Sequence, residues 1–232
     1  MREYAVIIPA YQPKEKLSEY IHKLLFYGVA KVIVINDGSS IKYKNVFKEI
    51  KNIENVTLLC HKENQGKGRA LKTGFHYFLN NYSNLPGLVT ADADGQHQIK
   101  DVIAVGDRLL IRDADFALGM REFKLGAVPV RSWLGNRITS LAFKGLFGTF
   151  LQDTQTGLRG IHTRELDWIS QLRGEQFDYE MNMLMQMIKR NKRIIRVDIQ
   201  TIYKEAHVSH YRTCKDSKRI MKEIIRSYLT ED

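Results

Sequence analysis

The sequence predicts an α/β fold: a mainly parallel sheet with helices on both faces. Three observations carry that expectation. Short β-rich runs alternate with helical patterns through the first 120 residues, the rhythm of βαβ units. The run Val32-Ile33-Val34-Ile35 is apolar without interruption, as a strand buried on both faces must be. Several of the predicted strands run into loops rich in Asp, Gly and small polar residues. In open α/β sheets, ligands bind beyond the carboxyl ends of the strands.

The elements follow in order. Tyr4–Ile8 reads as a strand, and Lys14–Phe26 as a helix with Leu17, Ile21, Leu24 and Leu25 on one face. Lys31–Ile35 and Asn55–Cys60 are strands. Lys67–Leu79 is a helix that turns Ala70, Leu71, Gly74, Phe75 and Phe78 inward. Gly87–Ala91 is a strand, Ile99–Leu110 a helix and Ala114–Leu118 a strand. The rhythm then changes. Trp133–Phe150 is long, apolar and helical in pattern, with Arg137 and Lys144 as its only charges. Glu180–Lys189 is a Met-rich helix, Arg193–Ile199 a strand, and Asp216–Leu229 a basic amphipathic helix. With four prolines and no Ser/Gly-rich linker, residues 1–232 read as one unit. Residues 1–120, where the βαβ rhythm holds, form its first half, and residues 121–232 a second half ending in the basic helix.

Composition narrows the classes. Hydrophobic residues make up 44% and charged residues 27%, a globular balance. No apolar run is long enough to span a membrane, and the N-terminal apolar stretch is too short for a signal peptide, so a cytoplasmic location is expected. Cys60 and Cys214 are too few for a disulfide framework and are expected to be reduced thiols. The net charge is +10. Residues 189–228 carry twelve Lys/Arg against four Asp/Glu, so most of the excess lies near the C-terminus. Such a surface suits an anionic membrane, a phosphorylated substrate or nucleic acid.

The strand-end loops carry the chemistry. Asn36-Asp37-Gly38-Ser39-Ser40 can meet a nucleobase and ribose, or act as a turn and helix cap. Asn64-Gln65-Gly66-Lys67-Gly68-Arg69-Ala70 leads into a helix whose start favours anions, or is a structural loop-to-helix turn. It lacks the Ser or Thr that a P-loop needs after its lysine. Asp92-Ala93-Asp94-Gly95-Gln96-His97 puts two carboxylates one residue apart at a strand end. They repel unless a cation lies beside them, or they form a polar turn with one aspartate protonated or solvated. With the Gln96 amide oxygen they form a partial oxygen shell for Mg²⁺ or Mn²⁺; His97 reads as a loop neighbour. Arg121, Arg131 and Arg137 follow, with guanidinium groups suited to phosphate. Asp153-Thr154-Gln155-Thr156-Gly157-Leu158-Arg159 is a polar loop in which Asp153 faces a reacting centre or caps the next element.

IIPAYQP, VINDGSS, NQGKGRA, DADGQH, LGMR, DTQTGLRG and an FDYE…SHYR…DSKRI tail occur in that order, from about Tyr4 to about Tyr228. The set resembles the inverting GT-A glycosyltransferases of family 2, whose sheet is Rossmann-like. It looks most like the polyprenyl-phosphate sugar transferases, the dolichyl-phosphate mannosyltransferase group and its undecaprenyl-phosphate relatives. The resemblance implies a nucleotide-sugar donor, with Pro9, Ala10, Tyr11 and Asp37 around its base and ribose and Lys67 and Gly68 nearby. It implies a metal on Asp92, Asp94 and Gln96 that carries the donor diphosphate. It places Arg121 and Arg131 on an acceptor phosphate and Asp153 near the transfer site, with Arg212 holding donor or acceptor phosphate.

Many members carry spanning helices, which are absent from this sequence. A lipid-phosphate acceptor would then imply peripheral contact with the inner membrane face through residues 133–150 and 216–229, segments that read equally as ordinary core helices with a wet basic edge. The SHYR tail departs from the archaeal and eukaryotic mannosyltransferase pattern, leaving glucose or another hexose open. A family 2 enzyme acting on a hydroxyl shares every donor motif and would need Asp153 as a base. A nucleotidyltransferase would place a glycine-rich loop after the first strand, where IPAYQP stands. A basic binding module for nucleic acid lacks zinc-finger spacing or an RNA-binding aromatic motif, so no nucleic acid partner is expected.

Overall fold

A computed structural model describes residues 2–121, 140, 144, 145, 148, 153 and 156–200. The predicted helix at 133–150 falls almost wholly outside these residues. The basic helix at 216–229, Arg131 and Arg212 lie outside them entirely.

The strands are β1 (Tyr4–Ala10), β2 (Lys31–Asn36), β3 (Val56–Cys60), β4 (Gly87–Thr90), β5 (Phe116–Arg121), β6 (Arg159–His162) and β7 (Ile194–Ile199). The helices are α1 (Leu17–Phe26), α2 (Lys44–Lys51), α3 (Lys67–Tyr82), α4 (Ile99–Ile111), α5 (Leu166–Ser170) and α6 (Asp178–Lys189). The seven strands form one sheet in the order β3-β2-β1-β4-β6-β5-β7. Pairing is parallel except around β6, which runs antiparallel to both β4 and β5.

Period-two alternation builds the two core layers. In β2, Ile33 and Ile35 enter one layer while Val32 and Val34 enter the other. In β1, Ala5 and Ile7 join the first, and Tyr4, Val6 and Ile8 the second. The first layer is closed by α3 and by α6, whose Met181, Met183, Leu184, Met185 and Met187 are all buried. The second is closed by Leu17, Ile21 and Leu24 of α1, Phe47 and Ile50 of α2, and Val102, Val105 and Leu109 of α4.

Several boundaries move for local reasons. Leu17 N–H bonds to Lys14 O at 3.1 Å, closing a turn before α1 that delays its start. After α4, Asp113 adopts a φ of 45° and Ala114 N–H returns to Leu109 O at 3.0 Å, so β5 begins at Phe116. The α2 helix, β6 and the short α5 were not expected. The α2 helix offers only Phe47 and Ile50 as buried anchors on a lysine-rich surface. The β6 sequence, RGIH, is too short and polar to alternate.

Gly106 of α4 lies against the buried ring of Tyr4, where an added Cβ would stand 2.3–2.6 Å from ring carbons. Helix propensity alone favours Gly106→Ala by about 1 kcal/mol. Overpacking against a fixed ring costs about 1–3 kcal/mol, and Tyr4 is held by Asp107 at 3.2 Å. Gly106→Ala is therefore expected to lower the urea midpoint with an unchanged m-value; a raised midpoint would show that the ring yields.

Candidate functional site

The sheet register brings the predicted loops to one edge. Asn36 pairs with Ala10 on one side and Cys60 on the other. Thr90 and Leu118 flank Arg159 on β6. The carboxyl ends of β1, β2, β3, β4 and β5 therefore meet the start of β6. Pro9 is half-buried at the end of β1, Ala10 is buried, and Tyr11 follows in the loop.

Asp37 is 2% exposed and organises the loop before α3. Its Oδ1 lies 2.7 Å from His61 Nδ1 and accepts Gln65 N–H at 3.0 Å. Its Oδ2 accepts Asn64 Nδ2 at 2.9 Å and Gly66 N–H at 2.8 Å. The first strand-end carboxylate thus binds protein donors and sets the entry to α3. Gly66, at φ 105°, and Gly68 make room for protein as well. A Cβ at Gly66 would meet Glu175 O at 2.3 Å, and one at Gly68 would meet Tyr179 Cβ at 2.6 Å.

Lys67 opens α3 and lies between two carboxylates. Its Nζ is 2.7 Å from Asp92 Oδ1 and 2.9 Å from Glu180 Oε2. Burial works against the Lys67 charge, yet Asp92 and Glu180 outweigh it and hold its pKa above the ordinary lysine value. Burial would likewise raise the Asp92 carboxyl. Lys67 and His97, whose Nε2 lies 3.2 Å from Asp92 Oδ2, instead hold it well below the usual range. Beyond Glu180 lies Arg159, 1% exposed. Its Nε donates to Thr156 O at 3.0 Å, its Nη1 donates to Glu180 O, and Nε stands 4.0 Å from Glu180 Oε1. That oxygen is buried without a hydrogen-bond partner among the described residues.

Asp94 is the other half of the strand-end pair. Burial, and then the Asp92 charge, push its carboxyl up. Its Oδ1 accepts Gln96 N–H at 2.9 Å, so the structure ties Gln96 to Asp94 through its backbone amide. The Tyr20 hydroxyl is buried with no hydrogen-bond partner among the described residues. Burial, and then the charges of Asp92, Asp94 and Asp101, raise its pKa. A half-buried oxygen donor whose charge folding disfavours fits a hydrated hard cation. No cluster of three or more His, Cys, Asp or Glu groups able to hold a metal occurs among the described residues. A cation here would draw further ligands from water and a bound diphosphate.

Arg121, at the end of β5, meets Asp153. Nε–Oδ2 is 2.5 Å and Nη2–Oδ1 is 2.9 Å, a two-point contact, and Asp153 is fully buried. Two residues assigned separately from sequence are thus one ion pair. Sequence reasoning gave no role to Glu180, Arg159 or His61. Glu180 stood in the quoted FDYE and Arg159 in DTQTGLRG; their alternation with Lys67 and Asp92 exists only in the fold.

Residues 5–164 match the family described as glycosyl transferase family 2. The chain belongs to this family. The family 2 span takes in β1 to β6 and every described site residue except Glu180. The GT-A fold expected from sequence is the one observed. The chain is 28% identical over 222 residues to a UDP-N-acetylglucosamine–dolichyl-phosphate N-acetylglucosaminyltransferase of Methanococcus voltae, covering 86% of each chain. It is 28% identical over 187 residues to a dolichyl-phosphate beta-glucosyltransferase of Dictyostelium discoideum, covering 69% of this chain and 54% of that one. Among solved structures it is similar to glucosyl-3-phosphoglycerate synthase from Mycobacterium tuberculosis in complex with Mn²⁺, UDP and phosphoglyceric acid. The TM-score is 0.73 at 12% identity, covering all of this chain and 80% of that one. At that identity the likeness is one of fold.

Two outcomes follow for this family 2 site. Asp37→Ala removes the shared acceptor of four donors, of which the Gly66 N–H is buried, and is expected to cost about 1–3 kcal/mol in chemical denaturation. Asp94 works in the opposite direction. A carboxyl whose pKa folding raises holds its proton more tightly in the native state, so stability falls as pH climbs past its unfolded value. Asp94→Asn should therefore raise the melting temperature of EDTA-treated protein at pH 7. The gain should fade below about pH 4, near the unfolded aspartate pKa. A variant that melts lower at pH 7 would contradict the assignment.

Proposed function

We propose that this glycosyltransferase moves a hexose or N-acetylhexosamine from a UDP- or GDP-sugar to a polyprenyl phosphate, with inversion at the anomeric carbon. The observation that carries the acceptor reading is the Arg121–Asp153 pair. A hydroxyl acceptor needs a base to take its proton, and the buried carboxylate in that position instead grips a guanidinium through both oxygens. A guanidinium so held suits a phosphate, and a phosphate monoester is already an anionic nucleophile at neutral pH. The names of the dolichyl-phosphate relatives support the same acceptor class.

In this reading Pro9, Ala10 and Tyr11 line the base and ribose side of the donor, and Asp37 shapes the loop against which it rests. Asp92 and Asp94, with Gln96, would hold Mn²⁺ or Mg²⁺, which when bound would offset negative charge on the departing diphosphate. Lys67 adds a positive charge on the same side of the site. Arg121, joined by Arg131, aligns the acceptor phosphate, and Arg212 holds donor or acceptor phosphate. One phosphate oxygen forms a bond to the anomeric carbon. The bond to the nucleoside diphosphate breaks, the electron pair leaves with the diphosphate, and no proton transfer is required. Alignment is then the main contribution of the acceptor side. Among the described residues no helix is long and apolar enough to cross a membrane. Peripheral contact through residues 133–150 and 216–229 would bring the enzyme to its lipid.

The test begins with thermal shifts for UDP, GDP and their sugars, with Mn²⁺ or with EDTA. A ligand at ~100 times its dissociation constant adds about 2.7 kcal/mol, and one base is expected to respond in a metal-dependent way. The matching sugar nucleotide is then offered with a polyprenyl phosphate or the corresponding polyprenol. Transfer to the phosphate alone is expected, and Asp153→Asn should raise the acceptor KM while retaining turnover. Transfer to the polyprenol, abolished in Asp153→Asn, would replace this reading with a hydroxyl-acceptor enzyme.

A further inference from the structure

The chain Asp92–Lys67–Glu180–Arg159 alternates in sign and draws on four separate elements of the fold. Its members are not interchangeable. Lys67 divides one ammonium between Asp92 at 2.7 Å and Glu180 at 2.9 Å. Gly157 packs directly over this contact: a Cβ there would lie 2.6 Å and 2.8 Å from the Asp92 oxygens and 2.8 Å from Lys67 Nζ. The ion pair is therefore direct, with protein backbone closing one side. Asp92 consequently already has a cation, although it is one of the two carboxylates that the proposed function gives to a divalent ion.

We infer that Lys67 is a resident counter-ion that competes with the divalent cation for Asp92, and that Glu180 is the positioning residue that limits how strongly it competes. Counting Asp92, Asp94 and Glu180 against Lys67 and Arg159, the group carries one net negative charge. A divalent ion converts that to one net positive charge, which then attracts a diphosphate. Lys67, displaced from Asp92, stays anchored on Glu180 with hydrogen-bond capacity to offer the arriving phosphate. Cation and nucleotide thereby favour each other's binding through one ammonium. Glu180 makes this possible by holding the same ammonium at 2.9 Å.

This inference rests on the divalent-ion reading of Asp92 and Asp94, and its test separates the two. Mn²⁺ alone is titrated into nucleotide-free protein and the free ion is followed by electron paramagnetic resonance. Lys67→Met removes the competitor and is expected to tighten Mn²⁺ binding by about tenfold or more, the scale of a close charge pair. Glu180→Gln leaves the whole Lys67 charge to Asp92 and should weaken Mn²⁺ binding several-fold, while Glu180→Asp restores part of it. The double variant Lys67→Met/Glu180→Gln removes one buried charge of each sign. It guards against a single variant that fails to fold, and it should keep the tighter Mn²⁺ binding. Wild-type Mn²⁺ affinity in the folded double variant would overturn the inference while leaving the metal site intact. No Mn²⁺ binding by the wild type, with or without nucleotide, would remove the metal reading and the inference together.

Discussion

The structure of the site depends on one ammonium group. Lys67 ties the start of α3 to the end of β4 through Asp92 and to the first turn of α6 through Glu180. These elements are far apart in sequence, and no backbone ladder joins them. An ion pair in this setting has a large desolvation cost, which is repaid only where geometry is good and further hydrogen bonds complete it. Here His97 supports Asp92, and Arg159 donates to the Glu180 backbone. Glu180 Oε1 is left without a partner among the described residues, so the network is not optimised for stability alone.

The division of labour at the sheet edge follows from burial. Asp37 is almost fully enclosed and directs both oxygens at protein donors. Asp153 is enclosed and engages Arg121. Asp92 is neutralised by Lys67. Folding disfavours the charge of Asp94, through burial and then the neighbouring Asp92. Strain of this kind collects where function requires it. It also answers why two aspartates stand one residue apart at the end of a strand. One is balanced by the protein, and the other keeps a demand for positive charge that a ligand can meet.

Much of the fold was legible in the sequence because buried strands and amphipathic helices write their periods into it. The VIVI run of β2 divides between the two cores as alternation requires. The inward set of α3, Ala70, Leu71, Gly74, Phe75 and Phe78, is buried as its spacing predicted. The polar loops at the strand ends also lie where the βαβ rhythm puts them. Short elements were not legible: α2 is 8 residues with two buried anchors, and β6 is 4 residues with a glycine.

The sequence by itself determined the α/β class, the order of most strands and helices, and the family, because these rest on local periodicity and on motifs contiguous in the chain. Only the tertiary structure decided which charges meet. Arg121 and Asp153 are 32 residues apart, Lys67 reaches Asp92 and Glu180, and Arg159 arrives on a strand that reverses direction inside an otherwise parallel sheet. Coulomb interactions depend on distance in space and on burial, and a linear sequence records neither.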